Sequence, residues 1–284
     1  MFSRRWIINY VLILLIVLFT YIGNRFDVET GYQPQQSVTA LKPESIETVE
    51  IQTAEAELLL RREGSGWMLE SPIRWPANDA DVERLLSITS VKTDSRLAAD
   101  EIDLATLGLQ FPKASLRLND TLVLFGGTNN IGARRYTMVG STVYLLPDML
   151  LTFMSQGLTG IVDQNLLPRR FELSALSLPG HEINRDANNA WRLTNANGIG
   201  QQQIEKLVDN WQNLQALRVK PFSAEKIPQQ KITAQLAEGR NHDYYVMSID
   251  PEIVIANPNI GLQYHFPADL YYLLISLRGD EASG

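Results

Sequence analysis

The sequence predicts an α+β protein in which an N-terminal transmembrane helix precedes two tandem copies of a small unit with an antiparallel sheet. Three observations lead to this expectation. An uncharged apolar run lies near the N-terminus, short alternating strands are joined by turns rich in Gly and Asn, and three landmarks recur in the same order at offsets of 120 to 124 residues. The 284 residues are 45% apolar and 20% charged, which is typical of globular proteins.

The apolar run is the predicted membrane anchor. Residues Trp6 to Ile22 carry no charge, and a helix of this length spans about 26 Å, close to the thickness of a hydrocarbon core. Arg4 and Arg5 precede the run and Asp27 follows it, so the charge bias predicts a cytoplasmic N-terminus. A cleaved signal peptide is the alternative, but the run is long for one and no small-x-small site follows it.

The charge balance and the absence of Cys bound the location and the partners. We expect most of the chain to lie beyond the anchor, on the side of the membrane opposite the cytoplasm. The net charge is -7, and residues 1–26 hold three Arg and no acid, so the remainder carries 22 basic and 32 acidic groups. Such a domain repels nucleic acid, which is not an expected partner. A chain with 0 Cys has no disulfide, thiol nucleophile or Cys-based metal site, and suits an oxidising compartment.

The predicted domain boundaries follow from the composition and from the repeats. Residues 1–26 form a cytoplasmic stub and the transmembrane helix, and residues 27–43 form a polar linker without apolar periodicity. The first α+β repeat spans 44–156, a connection spans 157–170, the second repeat spans 171–279, and 280–284 is a tail.

Three landmarks define the repeat. Each copy has a Trp that starts a strand after a tight turn, a helix with an apolar triplet on one face, and a Tyr-to-Leu segment whose Pro begins a predicted helix, over 148–154 or 268–277. The landmark residues are Trp67 and Trp191; Val82, Leu85 and Leu86, matched by Ile204, Leu207 and Val208; and Pro147 and Pro267. Asn78 or Asp79 is expected to cap the first helix.

An aromatic cluster in the second copy is the candidate partner surface. Its residues are Tyr264, Phe266, Tyr271 and Tyr272. Two interpretations remain open, since aromatic side chains fill cores and are also enriched at the hot spots of protein interfaces.

The remaining candidates for chemistry favour no catalytic, cofactor or metal site. His181, His242 and His265 lack the spacing of a metal motif, and we expect His242 in a polar surface turn and His265 in a structural position. Residues 126–132 read GGTNNIG, but no Lys-Ser/Thr follows as a phosphate-binding loop requires. A glycine-containing β-turn is therefore expected there.

Several segments of the first copy carry a family resemblance. They are Arg61 to Trp67, the helix over 78–88, Gly108-Leu109 with Pro112, and Leu124-Phe125-Gly126. In these segments the chain resembles a bacterial family of membrane-anchored proteins that carry a domain of unknown function, over residues 40–280. The resemblance implies an anchor, often two periplasmic α+β domains, and genes often beside ABC transporter components of the gliding-motility kind. The second copy departs from the pattern, with only Ile227-Pro228 in place of the segment from Gly108 to Pro112.

Two functions from different classes are compatible with these observations. The first is a non-enzymatic accessory or scaffolding subunit that binds a membrane protein, an ABC permease according to the resemblance. The second is a periplasmic enzyme or ligand-binding protein that acts on an envelope component, and it requires a concave pocket with convergent polar groups. No cofactor is expected, and the sequence names no small-molecule ligand.

Overall fold

The computed structural model describes residues 13–18, 36–129, 133–194, 198–222 and 230–277. Residues 13–18 are helical, exposed and part of the predicted anchor, whose remaining residues lie outside the described ones, as does most of the predicted linker. Over these described ranges, no helix combines the length and the apolar character that crossing a membrane demands.

The first sheet has nine described strands, all paired antiparallel. They are β2 (Thr48–Thr53), β3 (Glu57–Glu63), β4 (Gly66–Ser71), β5 (Trp75–Pro76), β7 (Arg96–Ala98), β8 (Ala114–Leu118), β9 (Thr121–Thr128), β10 (Arg134–Val139) and β11 (Thr142–Pro147). Their order across the sheet is β5-β4-β3-β2-β8-β9-β10-β11-β7. A separate two-stranded ribbon pairs β1 (Gln36–Ser37) with β6 (Lys92–Thr93).

Two helices accompany this sheet. Helix α1 (Asp79–Leu86) follows β5, continues as a 3-10 turn over Ser87–Ser90, and is followed much later by α2 (Leu150–Met154) after β11. Asn78 caps α1 as predicted, because its Oδ1 accepts hydrogen bonds from the N–H groups of Ala80 (3.1 Å) and Asp81 (3.4 Å). The predicted apolar triplet of α1 is buried in the first hydrophobic core.

The second sheet has eight described strands, again antiparallel. They are β12 (Leu173–Leu178), β13 (His181–Arg185), β14 (Trp191–Thr194), β15 (Arg218–Pro221), β16 (Lys231–Leu236), β17 (Asn241–Ser248), β18 (Glu252–Asn257) and β19 (Leu262–Pro267). Their order is β14-β13-β12-β16-β17-β18-β19-β15. Helix α3 (Gln201–Asn213) follows β14, and α4 (Tyr271–Leu274) follows β19.

The α+β class with antiparallel sheets is confirmed. Apart from β5, the two sheets also have the same strand order. At one edge lies β4 in the first sheet and β14 in the second, and at the other edge lies β7 or β15, which follows the long helix in the chain. Each long helix covers one face of its sheet with its apolar side and packs into a separate core.

The helices predicted over 148–154 and 268–277 are shorter than expected. Pro147 and Pro267 end strands β11 and β19 instead of starting helices. The ladder ends at these residues and needs no N–H from them, so proline is tolerated there. Helix α2 starts only at Leu150, and the second segment forms a 3-10 turn over Ala268–Leu270 before the four residues of α4.

Gly126 and Gly127 lie within strand β9, so the predicted β-turn at this position was wrong. A Cβ on Gly126 would lie 2.5 Å from the carbonyl oxygen of Leu107, and the N–H of Gly127 donates to that same oxygen at 2.7 Å. The missing side chains therefore allow the segment around Leu107 to lie directly on the strand. Residues 130–132 of the GGTNNIG stretch lie outside the described residues.

Candidate functional site

An apolar groove lies beside the first sheet, between the C-terminal end of α1 and helix α2. Its volume is about 440 Å³. The floor consists of buried side chains from four elements, namely Ile88, Phe125, Leu146 and Phe153. Met149 forms a lip and is 75% exposed.

Arg84 is the one ionisable side chain among the described residues that line the groove. Its guanidinium carbon lies 5.0 Å from the centroid of the Phe153 ring, a cation–π distance, and its Nη1 lies 3.3 Å from Oδ1 of Asp81. Partial burial raises the pKa of Asp81 above its ordinary value, and the charge of Arg84 opposes that rise. The rim of the groove thus carries a positive group whose acidic neighbour lies on its own helix.

A buried ion pair holds the lip of the groove in place. Arg135 is 6% exposed, and its Nε and Nη2 donate to the two carboxylate oxygens of Asp148 at 2.6 and 2.7 Å. Its Nη1 also donates to the carbonyl oxygen of Gly126. This bidentate geometry ties the segment that leads into α2 to strands β9 and β10.

One feature of the sequence indicates that Arg135 has a buried acidic partner. Arg135 alternates with Thr137 on the buried face of β10. An Arg at an inward position of a strand requires a buried acceptor, because an unpaired buried charge is very costly. The identity of that acceptor depends on which chain segment folds over the strand, and the sequence does not determine it.

At the corresponding place beside the second sheet, the long helix contacts the helix that follows the last hairpin. Helix α3 continues to Asn213, and its last turn packs on α4. Nδ2 of Asn210 donates to the carbonyl oxygen of Leu273 at 3.1 Å, and Nε1 of the buried Trp211 donates to that of Leu274 at 2.8 Å. Helix α1 ends at Leu86 and continues as the 3-10 turn Ser87–Ser90, where the smaller Thr89 has the position of Trp211, and the groove lies beside this turn.

The predicted aromatic surface is only partly at the surface. Tyr264 and Phe266 are both 0% exposed and belong to the second core, so the partner-surface interpretation is wrong for these two residues. They alternate on β19 and face the same interior side. Tyr271 is half-buried and Tyr272 is 43% exposed, and their rings contact each other edge to face on α4.

His242 lies in strand β17, so the prediction of a polar surface turn was wrong. The turn ends at Arg240, and the half-buried His242 ring packs against Trp75 of β5 and against Phe171, with centroids 5.1 and 5.3 Å away. Burial lowers the pKa of His242, and the charge of Arg240 lowers it further. This aromatic cluster joins the two sheets.

Two more histidines were considered from the sequence. His181 begins strand β13. His265 is buried on β19, where its Nδ1 lies 3.2 Å from Oε2 of Glu252, and burial lowers the pKa of this imidazole. These contacts agree with the structural position expected for His265.

Polar groups of residues 163–166, which connect the two sheets in the chain, lie close to this aromatic cluster, and we call the region the junction. Oδ1 of Asp163 accepts from the N–H of Asn165 at 2.9 Å, and burial raises the pKa of the Asp163 carboxyl. The hydroxyl of Tyr244 donates to the carbonyl oxygen of Leu166 at 2.5 Å. Burial raises the pKa of Tyr264 well above its ordinary value, so its hydroxyl stays protonated. Among the described residues, no three acidic or His side chains gather to hold a metal ion.

The described residues therefore form an α+β protein of two antiparallel sheets with an apolar groove beside the first. A family described as "Domain of unknown function (DUF4340)" matches residues 67–238, which are 172 of the 284 residues, and the chain belongs to this family. The match starts in β4 and ends just after β16, so it includes both long helices and the junction. No curated protein and no solved structure matches the chain.

Proposed function

We propose that this protein is a non-enzymatic, single-pass inner-membrane protein whose periplasmic part is an accessory or scaffolding subunit of a membrane complex. The partner is a membrane protein, and an ABC permease is our specific candidate because of the resemblance described above. The observation that carries the proposal is the apolar groove beside the first sheet, with Met149 at its lip.

The groove has the properties of a surface that binds a protein. A solvent-facing apolar concavity costs free energy in an isolated protein, and such patches mark interaction sites. Its floor is buried and its rim is polar, as in protein interfaces. The buried pair of Arg135 with Asp148 fixes one wall before any partner arrives, which lowers the entropic cost of association.

Two further observations support the architecture in this proposal. The uncharged run from Trp6 to Ile22 is long enough to anchor the chain. The shared strand order of the two sheets supports their origin as two copies of one unit, in agreement with the three sequence landmarks.

The second candidate is a periplasmic enzyme or ligand-binding protein. Asp163 favours it, because a half-buried carboxyl with a raised pKa is a common feature of catalytic sites. However, its oxygen is engaged by the N–H of Asn165 within the connection. In addition, the lining of the groove supplies a single ionisable group, Arg84, whereas acid–base chemistry needs a proton donor and an acceptor.

Site-specific crosslinking in intact cells tests the proposal. A photoreactive phenylalanine analogue replaces Met149 in the full chain, and the matched control carries it at Ile249, which is 49% exposed in the connection between β17 and β18. We expect an adduct of discrete mass from position 149 alone, in which mass spectrometry finds permease peptides. Equal adducts from both positions, or none from position 149, would contradict partner binding at the groove.

The location has its own test, because a chain with 0 Cys allows single-cysteine labelling. Ser141 lies in the exposed turn between β10 and β11, away from the residues of the groove. A Ser141→Cys variant should react with a membrane-impermeant maleimide in spheroplasts as fully as in lysed cells. Labelling only after lysis would show that the domain is not periplasmic.

A further inference from the structure

We propose that the groove binds a short amphipathic helix of the membrane partner, which presents bulky apolar side chains to the floor and one acidic side chain to Arg84. This inference rests on the proposed function and specifies the chemistry of the partner. It follows from a comparison of the two sheets, from the charge at the rim and from the fixed shape of the groove.

The second sheet shows what fills the corresponding place. There the last turn of α3 lies against α4, with the indole of Trp211 buried and bonded to the carbonyl oxygen of Leu274 at 2.8 Å. In the first sheet α1 ends at Leu86, and the 3-10 turn Ser87–Ser90 takes the place of the last turn of α3, with Thr89 at the position of Trp211. A bulky apolar side chain from a partner helix would supply between α1 and α2 what Trp211 supplies between α3 and α4.

The dimensions of the groove suit this occupant. Its volume of about 440 Å³ lies in the range of pockets that enclose several apolar groups. The floor side chains Ile88, Phe125 and Phe153 come from a helical turn, a strand and a helix, so they form a trough rather than a closed cavity. A helix that docks in a trough does so through apolar residues spaced three and four apart.

Arg84 defines the charge of the partner. Its side chain is 59% exposed, and its Nη1 lies 3.3 Å from Oδ1 of Asp81 on the same helix. A carboxylate on the docked helix would reach the open side of this guanidinium and form a charge-assisted hydrogen bond. Since Arg84 is the single ionisable side chain among the described residues that line the groove, the contact with it sets the register of the helix.

A peptide from this chain is a suitable probe. The capped 13-residue peptide of residues 201–213 has the sequence of α3, with four apolar residues on one face and acidic Glu205 and Asp209. The full-length chain in lipid nanodiscs should bind it saturably with a dissociation constant at or below about 1 mM. A peptide with both acids changed to Lys should bind at least five-fold more weakly.

Two groove variants and one matched control locate the binding. Thr152 is an exposed residue on the groove wall, and Tyr272 occupies the corresponding position on α4. Thr152→Tyr should lower the affinity for the peptide at least ten-fold, whereas Tyr272→Thr should leave it unchanged. Arg84→Gln should abolish the preference for the acidic peptide. Unaltered thermal melting of the three variants shows that each is folded.

Some results would overturn this inference. They are the absence of saturable binding, binding that Thr152→Tyr does not weaken, an equal affinity for the acidic and Lys peptides, or a co-purified lipid acyl chain in the groove. A permease adduct from position 149 together with failed peptide binding would leave the proposed function intact and reject the helical occupant. Peptide binding without any adduct in cells would show that the groove accepts an amphipathic helix, but it would reject the proposed membrane partner.

Discussion

Replacing Trp75 with alanine should destabilise the second core more than the first, although Trp75 belongs to a strand of the first sheet. Its side chain is 1% exposed and lies in the same hydrophobic cluster as the second sheet. The indole contacts the rings of Phe171 and His242, each with centroids 5.1 Å away. The first sheet therefore supplies a core residue to its neighbour.

The size of the effect follows from these contacts. Truncation of a fully buried Trp to Ala costs about 3–5 kcal/mol of unfolding free energy. Two aromatic contacts add about 0.5–1.5 kcal/mol each to the value of burial alone. Since a domain has a total stability of about 5–15 kcal/mol, the second sheet should lose a large part of its stability.

Hydrogen exchange followed by mass spectrometry measures where the stability is lost. Trp75→Ala should speed exchange in β17 (Asn241–Ser248) and leave β3 (Glu57–Glu63) largely protected. Trp67→Ala is the matched control, because Trp67 is 2% exposed and packs in the first core. The control should show the reverse pattern. Faster exchange confined to β3 in the Trp75 variant would refute the assignment of this residue to the second core.

Three further outcomes are expected. Asn78→Ala removes the α1 cap and should lower the free energy of unfolding by about 1 kcal/mol in urea titrations, with Asn78→Asp close to the natural chain. Gly126→Ala places a Cβ 2.5 Å from the backbone oxygen of Leu107 and should cost about 1–3 kcal/mol in the same assay; no loss would mean that this segment does not lie on β9. The pKa of His242 is lower in the folded chain than its ordinary 6.5, so the unfolded chain binds the proton more readily and stability falls as the pH drops below about 7. His242→Phe should reduce this loss of stability between about pH 7 and pH 5 in thermal melts. A smaller loss in the same direction should remain, because burial also lowers the pKa of His265. An unchanged pH profile would contradict the burial of the His242 ring.

Elements with a local cause were predictable. Strand β3 spans Glu57–Glu63, where the sequence alternates up to the Gly64-Ser65 turn, and both signals are local properties. The cap at Asn78 and the buried face of α1 also depend on residues only a few positions apart. The same holds for the hairpin at Asn119, whose φ of 50° suits an Asn in a tight turn.

Features that depend on distant segments were not predictable in this way. His242 has polar neighbours in sequence, which favour a turn, but Trp75 and Phe171 cover it in space. Gly126 and Gly127 of β9 have a composition that is typical of a turn. The segment that lies on them is the one around Leu107, which precedes the β8–β9 hairpin in the chain. The candidate groove likewise depends on where α1 ends relative to α2, which no local pattern encodes.

By itself the sequence determined the α+β class, several of the strands, and the cap and apolar face of the first long helix, because periodicity and capping chemistry act over a few residues. The tertiary structure alone decided that Tyr264 and Phe266 are core residues, that Arg135 is paired with Asp148, and that a groove lies beside the first sheet where, in the second, Trp211 bonds to the segment after β19. These outcomes depend on which side chains remain uncovered once both sheets have packed, and packing brings together residues that are far apart along the chain.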